Sequence, residues 1–276
     1  MIENNGIPTK EQELEKTKLI KSLVENELED VIKKSINYAV STLTGRDNKH
    51  LYMENETIAT QMLSVARKTY VAVYYTQKKE GEDIKKSYKI TGLPMIDAST
   101  PVYIKNKLME CLDYVLYDKK NDIIKLINFV REDIKKQNLE EICTNIKVGS
   151  LDYRFDSMKK KFIHFDGKRS CPIQSRGAIH FNTLVDKGVL KNANKIIAGE
   201  KCFMLYTRVP NSLTNDNVLC FNDYSAVKKL FAEQKNREMV DFNIIFEKNF
   251  QQKLEGMSEI LGFAYKTRMV NSLDNW

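Results

Sequence analysis

The sequence predicts an α+β fold: a long helix with a small antiparallel sheet, followed by a mostly helical region with short strands. Apolar residues recur at helical spacing over residues 10–43, with Lys and Glu between them. Residues 68–76, with the sequence KTYVAVYYT, are rich in the β-branched and aromatic residues that favour strands. Beyond Thr100 the apolar spacing again becomes helical. A division of the chain is therefore expected near residue 99.

Bulk composition indicates a globular protein. The chain has 276 residues, of which 42% are hydrophobic and 29% charged, an ordinary balance that excludes a mostly disordered chain. No apolar run approaches the roughly 20 residues of a membrane span, and the first five residues are too polar for a secretory signal. We expect a soluble intracellular protein without a membrane partner. The net charge of +7 permits an anionic partner.

Cysteine and histidine usage argues against a structural metal or a disulfide framework. The five cysteines are widely spaced and include no C-x-x-C pair, and the three histidines are scattered. Zinc sites and disulfide-stapled domains both require closer or paired spacing. We therefore expect neither a disulfide framework nor a zinc or histidine-rich metal site.

The elements of the N-terminal third follow in order. Gly45 ends the long amphipathic helix, which presents an apolar face for a partner surface. Strand-like runs then cover residues 51–59, 68–76 and 87–91, the last one ending before Gly92.

The rest of the chain is predicted to be mainly helical. Ser99 or Thr100 is expected to cap a helix that has Pro101 in its first turn and extends to about Tyr117. Further helices are predicted over residues 122–136, 175–187, 225–233 and 241–261. Residues 196–209 resemble two short strands around Gly199 and Glu200, and residues 210–222 a polar loop.

No self-sufficient active site is visible. The sequence has no G-x-x-x-x-G-K-S/T phosphate loop, no G-x-S-x-G and no H-E-x-x-H. Glu54 and Glu56 would point to one side of a strand. They form either a carboxylate pair near a metal or, on local grounds more often, a solvent-facing pair.

Two features suit a nucleic-acid backbone. If Lys68 and Tyr70 lie on one strand face, a charge stands beside a phenol hydroxyl; the alternative is sheet packing with an edge lysine. A basic stretch leads to Arg176 at the start of a predicted helix, where an anion gains from free backbone N–H groups; the alternative is a soluble basic loop. Its cations are Lys159, Lys160, Lys161, Lys168, Arg169 and Arg176.

Five segments occur in a specific order: R-K-T-Y, then K-I-T-G-L-P-M-I-D-A-S-T-P, then C-P-I-Q-S-R-G-A-I-H-F, then F-E-K-N-F-Q-Q-K-L-E-G-M-S-E-I-L-G-F, and a terminal S-L-D. This order and spacing resemble the C-terminal third of the family B DNA polymerases of tailed bacteriophages. The resemblance covers nearly the whole chain, although each motif taken alone has low specificity.

The resemblance implies a function for the N-terminal third. In the family, a K-x-Y strand of the palm touches the primer end, which assigns that contact to Lys68 and Tyr70. A palm strand of M-D-x-E-A-I type carries carboxylates near the metal site, and M-E-N-E-T-I places Glu54 and Glu56 there. The passage from palm to thumb is matched by Ile90, Gly92, Ser99, Thr100 and Pro101.

The resemblance also implies a thumb that grips duplex DNA and a tail that docks on a sliding clamp. The thumb segment C-P-x-x-x-R-G is matched by Cys171, Pro172, Arg176 and Gly177. Backbone contacts are assigned to Lys147, Lys168, Arg169, Arg176, Gly177 and His180. The tail residues are Ser272, Leu273, Asp274 and Trp276, with one Trp where the family usually has two aromatics. The implied domains are 1–99 (palm end), 100–265 (thumb) and 266–276 (tail).

The family's three upstream motifs are absent from the sequence: the metal-binding aspartate of the first palm strand, the fingers helix and the D-T-D hairpin. The resemblance therefore implies a split polymerase in the cytoplasm of an infected bacterium. A partner chain would supply the exonuclease domain, the fingers, the catalytic aspartates and most of the Mg²⁺ binding. Both chains would contact the primer-template DNA. A catalytically inactive DNA-binding remnant is the alternative, and an interaction protein unrelated to DNA is the third hypothesis.

Overall fold

The computed structural model describes residues 8–47, 51, 58–77, 82–93, 95, 97–190, 193–232 and 234–263. The chain divides into two compact units, Met1–Leu93 and Pro94–Trp276. Helices and small antiparallel sheets occur in it, which confirms the predicted α+β class. The assignment of residues 1–99, 100–265 and 266–276 to palm, thumb and tail stays a prediction.

The long N-terminal helix forms as predicted. It consists of α1 (Lys10–Leu23), a π-helical segment (Val24–Leu28) and α2 (Glu29–Thr44). Thr9 caps it, because its hydroxyl accepts the N–H of Gln12 at 3.3 Å. Gly45 ends it with a φ of 65°, a conformation that glycine adopts without strain.

The sheet of the first unit has the order β1-β2-β3, with antiparallel neighbours. Its strands are β1 (Gln61–Ala66), β2 (Thr69–Thr76) and β3 (Lys85–Thr91). Every second residue of β2 from Val71 to Tyr75 is fully buried, and α1 packs against this strand. The predicted strand at 51–59 lies mostly outside the described residues, and its described positions are not strand. The sequence pattern missed β1.

The second unit contains most of the helices that the apolar periodicity predicts. They are α3 (Val102–Leu116), α4 (Lys120–Asp133) with a 3₁₀ turn (Ile134–Lys136), α5 (Leu139–Ile142), α6 (Ile173–Asp186), α7 (Tyr224–Leu230), α8 (Gln234–Arg237), α9 (Phe242–Ile245), a π segment (Phe246–Gln251) and α10 (Gln252–Leu261). The predicted cap of α3 was wrong. Pro101, rather than Ser99 or Thr100, occupies the N-cap position, and no side chain caps the helix.

The second unit holds a three-stranded antiparallel sheet of order β4-β7-β8 and a separate hairpin of β5 and β6. The strands are β4 (Thr144–Lys147), β5 (Tyr153–Asp156), β6 (Lys161–His164), β7 (Lys201–Tyr206) and β8 (Val218–Phe221). Two expectations were wrong. Residues 196–209 contain one strand, β7, which begins after Glu200, and the predicted loop at 210–222 contains β8. All four β8 residues are buried. Burial of these residues therefore favours a strand here, although the residues before them are polar.

No helix in the described part of the chain is long and apolar enough to cross a membrane.

Candidate nucleic-acid interface

The basic stretch forms the β5–β6 hairpin and the turn that follows it. Asp156 ends β5, and its Oδ1 accepts the backbone N–H groups of Met158 and Lys159, each at 3.0 Å. The hydrogen bond from the Lys159 N–H is the main cause that lowers the pKa of this carboxyl. Lys160 completes the turn with a φ of 47°. The tip therefore presents Met158, which is 96% exposed, beside two lysines.

The turn after β6 is built in the same way. Asp166 Oδ1 accepts the backbone N–H groups of Lys168 at 2.9 Å and Arg169 at 3.3 Å. Its other oxygen accepts Arg169 Nε at 2.9 Å and lies 3.0 Å from His164 Nδ1. These backbone and side-chain hydrogen bonds, led by that of Lys168, hold the pKa of Asp166 well below its usual range. Arg169 is thus oriented by a carboxylate.

Apart from Arg169, the cations of this hairpin make no close ion pair in the part of the chain that the structure describes, although the charges of Lys159 and Arg154 help to lower the pKa of Asp156. Within the described residues, no ion pair within 4 Å involves the side chains of Arg154, Lys159, Lys160, Lys161 or Lys168. Uncompensated charge on one small element attracts an anionic polymer more than paired charge does. This hairpin is therefore the strongest electrostatic candidate for nucleic-acid contact.

Arg176 and His180 occupy one face of α6, one turn apart. Arg176 Nη2 donates to Asn217 Oδ1 at 2.9 Å and lies 3.7 Å from Asp216 Oδ1. His180 Nε2 is 2.9 Å from the other oxygen of Asp216. The Arg176 side chain remains 29% exposed, so its guanidinium can still reach solvent or a ligand.

Asp216 is the centre of this cluster. Burial would raise its pKa, but the contact with His180, the Asn217 N–H and the charge of Arg176 together lower it below the ordinary aspartate value. The carboxylate is therefore charged at neutral pH. His180 also links the cluster to the hairpin, because its ring meets the Phe162 ring edge to face at 5.3 Å.

The loop before β8 is held in place by Asn211. Its Oδ1 accepts three backbone N–H groups, those of Leu213, Thr214 and Asn215, at 2.8–3.2 Å. Its Nδ2 donates to the backbone carbonyl oxygen of Asp216 at 2.8 Å. Sequence reasoning missed Asp216, Asn217 and Asn211, although asparagine-rich loops often order themselves by such bonds.

Gly177 has a packing role. A Cβ at this position would lie 2.6 Å from Cys220 Sγ and 2.9 Å from Cys220 N in β8. The glycine therefore permits the close approach of α6 to β8. Cys171 stands just before the helix, and burial raises the pKa of its thiol to about 11, so it is not an activated nucleophile.

Lys147 belongs to the three-stranded sheet rather than to the hairpin or α6. It is the last residue of β4 and is paired across the ladder with Lys201 of β7. Like charges directly opposite each other are unfavourable unless an anion screens them. No hydrogen bond or ion pair in the described residues joins Lys147 to the hairpin or to α6.

In the first unit, the structure corrects the expected position of Lys68. It lies in the turn between β1 and β2 with a φ of 62°, so it does not share a strand face with Tyr70. Tyr70 lies in β2 between Ser64 and Thr91. Gly92 closes the same end of the sheet, because a Cβ there would lie 2.7 Å from the Lys68 carbonyl oxygen. The R-K-T-Y and K-I-T-G segments therefore meet in space.

Several predicted site residues lie outside the described part of the chain. They are Glu54, Glu56, Ser272, Leu273, Asp274 and Trp276. Among the described residues, no group of three or more His, Cys, Asp or Glu side chains could hold a metal ion.

Comparison with known proteins finds similarity among solved structures. No family model matches the chain, and no curated protein matches it. Among solved structures, the family B DNA polymerase from the hyperthermophilic archaeon Pyrobaculum calidifontis is similar, with 13% sequence identity and a TM-score of 0.45. The match covers 85% of this chain and 25% of the polymerase chain, so this chain spans about a quarter of that protein's length.

Proposed function

We propose that this chain is the palm-end and thumb part of a family B DNA polymerase. In this proposal it holds primer-template DNA for a partner chain that carries the catalytic aspartates, the fingers and the exonuclease. The order of its sequence motifs supports the assignment to this family. The observation that carries DNA binding is the β5–β6 hairpin, whose lysine side chains make no ion pair within 4 Å among the described residues.

The chemistry of the hairpin suits a phosphate backbone rather than particular bases. Lysine offers a mobile point charge and several donors, which neutralise phosphates without reading sequence. Arg169 and Arg176 are oriented by neighbouring side chains and suit a fixed phosphate position. A replicative enzyme must bind every sequence, so contacts of this kind are the appropriate ones.

In this proposal the first unit positions the primer end. Lys68 projects from a tight turn, and Tyr70 lies in the strand that begins one residue later. Misplacement of a primer terminus by about 1 Å can lower the rate roughly 10²-fold. In this proposal Mg²⁺ is bound mainly by the partner chain, and no metal step is assigned to this one.

The remaining parts of the proposal concern the tail and the cell. Ser272, Leu273, Asp274 and Trp276 would dock on a sliding clamp, with the single Trp as the apolar anchor. The complex would act in the cytoplasm of an infected bacterium. Glu54 and Glu56 would lie near the metal ions held by the partner.

DNA binding is tested with a charge-matched pair of variants. One variant replaces three unpaired lysines of the hairpin: Lys159→Ala, Lys160→Ala and Lys161→Ala. The control replaces three lysines that are paired with carboxylates: Lys125→Ala, Lys135→Ala and Lys195→Ala. Both lose three positive charges, so only the position of the lost charge differs.

Fluorescence anisotropy of a labelled primer-template duplex over a salt series gives the affinity and its salt slope. Each lost phosphate contact should reduce the slope by about 0.9. We expect a reduction of roughly two to three for the hairpin variant and less than one for the control. Equal reductions would show a response to net charge alone and would overturn the assignment of the hairpin.

The partner is tested by affinity pull-down of the tagged chain from its native lysate, followed by mass spectrometry. A stoichiometric partner carrying a D-T-D hairpin would support the two-chain polymerase and permit reconstitution. Duplex binding without such a partner would instead favour the inactive DNA-binding remnant.

A further inference from the structure

One face of the β5–β6 hairpin is aromatic. Two pairs of residues lie directly opposite each other on it, Phe155 with Phe162 and Tyr153 with His164. Because side chains alternate between the two faces of a strand, all four project to the same side. The rings of each pair meet edge to face, with centroids 5.3 Å apart in the first pair and 5.2 Å in the second. Ile163, which is buried, belongs to the other face.

Phe155 is the exposed member of this aromatic face. Its exposed fraction is 55%, whereas the other three side chains are half-buried. Phe162 also contacts the ring of His180 on α6, with centroids 5.3 Å apart. Cross-strand aromatic pairs stabilise a two-stranded hairpin, which is marginal on its own. That role explains the half-buried rings, but it does not require that more than half of Phe155 stay in contact with water.

The same hairpin and its flanking turn carry an excess of positive charge. Residues 152–169 contain six Lys and Arg side chains against three aspartates. Two of these aspartates, Asp156 and Asp166, already accept backbone N–H groups in the turns. The turn after β5 presents Lys159 and Lys160, whose side chains make no ion pair within 4 Å among the described residues. An anionic ligand would therefore meet cations close to the exposed ring.

An exposed ring beside cations has the chemistry that binds an unpaired nucleic-acid strand. A base with a free face stacks on an aromatic side chain, while cations bind the phosphates on either side of it. In a duplex, neighbouring bases cover both faces of each base, so a ring can stack there only after unstacking a step. Contacts with the duplex backbone need no exposed ring. Phe165, in the turn after β6, is 62% exposed and offers a second ring.

We propose that the aromatic face of the β5–β6 hairpin binds single-stranded DNA, with one base stacked on Phe155 and the adjacent phosphates held by the hairpin lysines. This inference rests on the proposed DNA contact of the hairpin and names an unpaired strand as its ligand. An apolar protein surface would cover the ring but leave the lysines without a counter-charge. Each nucleotide of a single strand brings both a base and a phosphate.

The test measures fluorescence anisotropy of three labelled ligands with the full chain. They are an oligothymidylate of roughly ten nucleotides, an abasic oligonucleotide of the same length, and a blunt duplex. The first two carry the same phosphates, so the ratio of their affinities measures what the bases contribute. Repeating each titration over a salt series separates phosphate contacts, which set the salt slope, from stacking.

The variants separate the aromatic ring from its apolar bulk. Phe155→Leu removes the ring and keeps an apolar side chain, whereas Phe155→Trp keeps a ring. Phe129→Leu is the matched control, because Phe129 in α4 is 52% exposed and has the Lys107 ammonium 4.9 Å from its ring centroid. It therefore removes a similarly exposed ring beside a cation at another place in the second unit.

We expect the native chain to bind oligothymidylate at least roughly tenfold more tightly than the abasic strand. Phe155→Leu should remove most of this preference and leave the salt slope unchanged, because the phosphate contacts remain. Phe155→Trp and Phe129→Leu should both keep the preference. Duplex affinity should change by less than about twofold in all three variants, because backbone contacts do not use the ring.

The outcomes separate the inference from the proposed function. Duplex binding by the native chain without a preference for oligothymidylate over the abasic strand would overturn the inference and leave the proposed function in place. A loss for Phe155→Leu that is equal on duplex and single strand, or a loss shared by Phe129→Leu, would also overturn it. Binding of none of the three ligands would reject the DNA contact of the proposed function and, with it, the inference.

Discussion

Replacing Gly177 with alanine tests whether the C-P-x-x-x-R-G segment is needed for packing. The added Cβ would lie 2.6 Å from Cys220 Sγ, 2.9 Å from Cys220 N and 3.1 Å from Val218 Cγ2. Both β8 residues are fully buried. The clash with a backbone nitrogen cannot be relieved by a side-chain rotation, so α6 or β8 must shift.

Two opposing effects set the magnitude. Overpacking of a core costs about 1–3 kcal/mol, and contact with a fixed backbone atom places this case near the upper limit. Alanine in place of glycine inside a helix gains about 1 kcal/mol. We therefore expect Gly177→Ala to lower the free energy of unfolding by about 2 kcal/mol.

Urea unfolding followed by circular dichroism measures the effect. Gly149→Ala is the control, because a Cβ there meets no atom within 4 Å, and its effect should stay within about 0.5 kcal/mol. Adding Cys220→Ala to Gly177→Ala should recover only part of the loss, since the backbone nitrogen remains. An unfolding midpoint for Gly177→Ala equal to or above that of the native chain would refute the packing argument.

Three further predictions concern the candidate interface. The lowered pKa of Asp216 means that its carboxylate contributes stability above about pH 4, which is lost as the pH falls through the folded-state pKa. Asp216→Asn should therefore flatten the decline of stability in acid, and urea midpoints that decline in parallel for both proteins would contradict this. In a double-mutant cycle of urea unfolding, the effects of Arg176→Ala and Asn217→Ala on the free energy of unfolding should differ from additivity by about 0.5–1.5 kcal/mol. Additive losses would show that their hydrogen bond does not contribute to stability. Lys68→Ala should reduce primer extension by the reconstituted pair far more than duplex binding, and equal losses would exclude primer positioning.

The sequence predicted best the elements whose signal is local. The helix over residues 10–44 and strand β2 follow from periodicity and composition within one segment. The four residues of β8 are too few to show a period, and a polar loop precedes them. Their strand structure depends on pairing with β7 and on contact with α6. Such contacts between distant segments are not visible in a local pattern.

The candidate site shows the same limit. The sequence showed that the hairpin is rich in basic residues. It did not show which of these residues form ion pairs with carboxylates. Lys68 was expected to continue the strand because its neighbours favour one. Its φ of 62° instead reflects the two-residue turn that joins β1 to β2. Asp216 and Asn211 lie far along the sequence from α6, so no motif connected them with Arg176.

The structure separates the cations of the candidate interface into two physical classes. Arg169 and Arg176 are each fixed by a hydrogen bond of 2.9 Å and partly neutralised by a nearby carboxylate. Among the residues that the structure describes, the hairpin lysines make no ion pair within 4 Å, so their side chains keep more conformational freedom. Lysines of this kind supply attraction that depends on salt and tolerates sliding along a duplex. The restrained guanidinium groups would bind a phosphate in a defined position, because less conformational freedom is lost on binding. The proposed function, in which DNA is both held and moved along, would use both classes of contact.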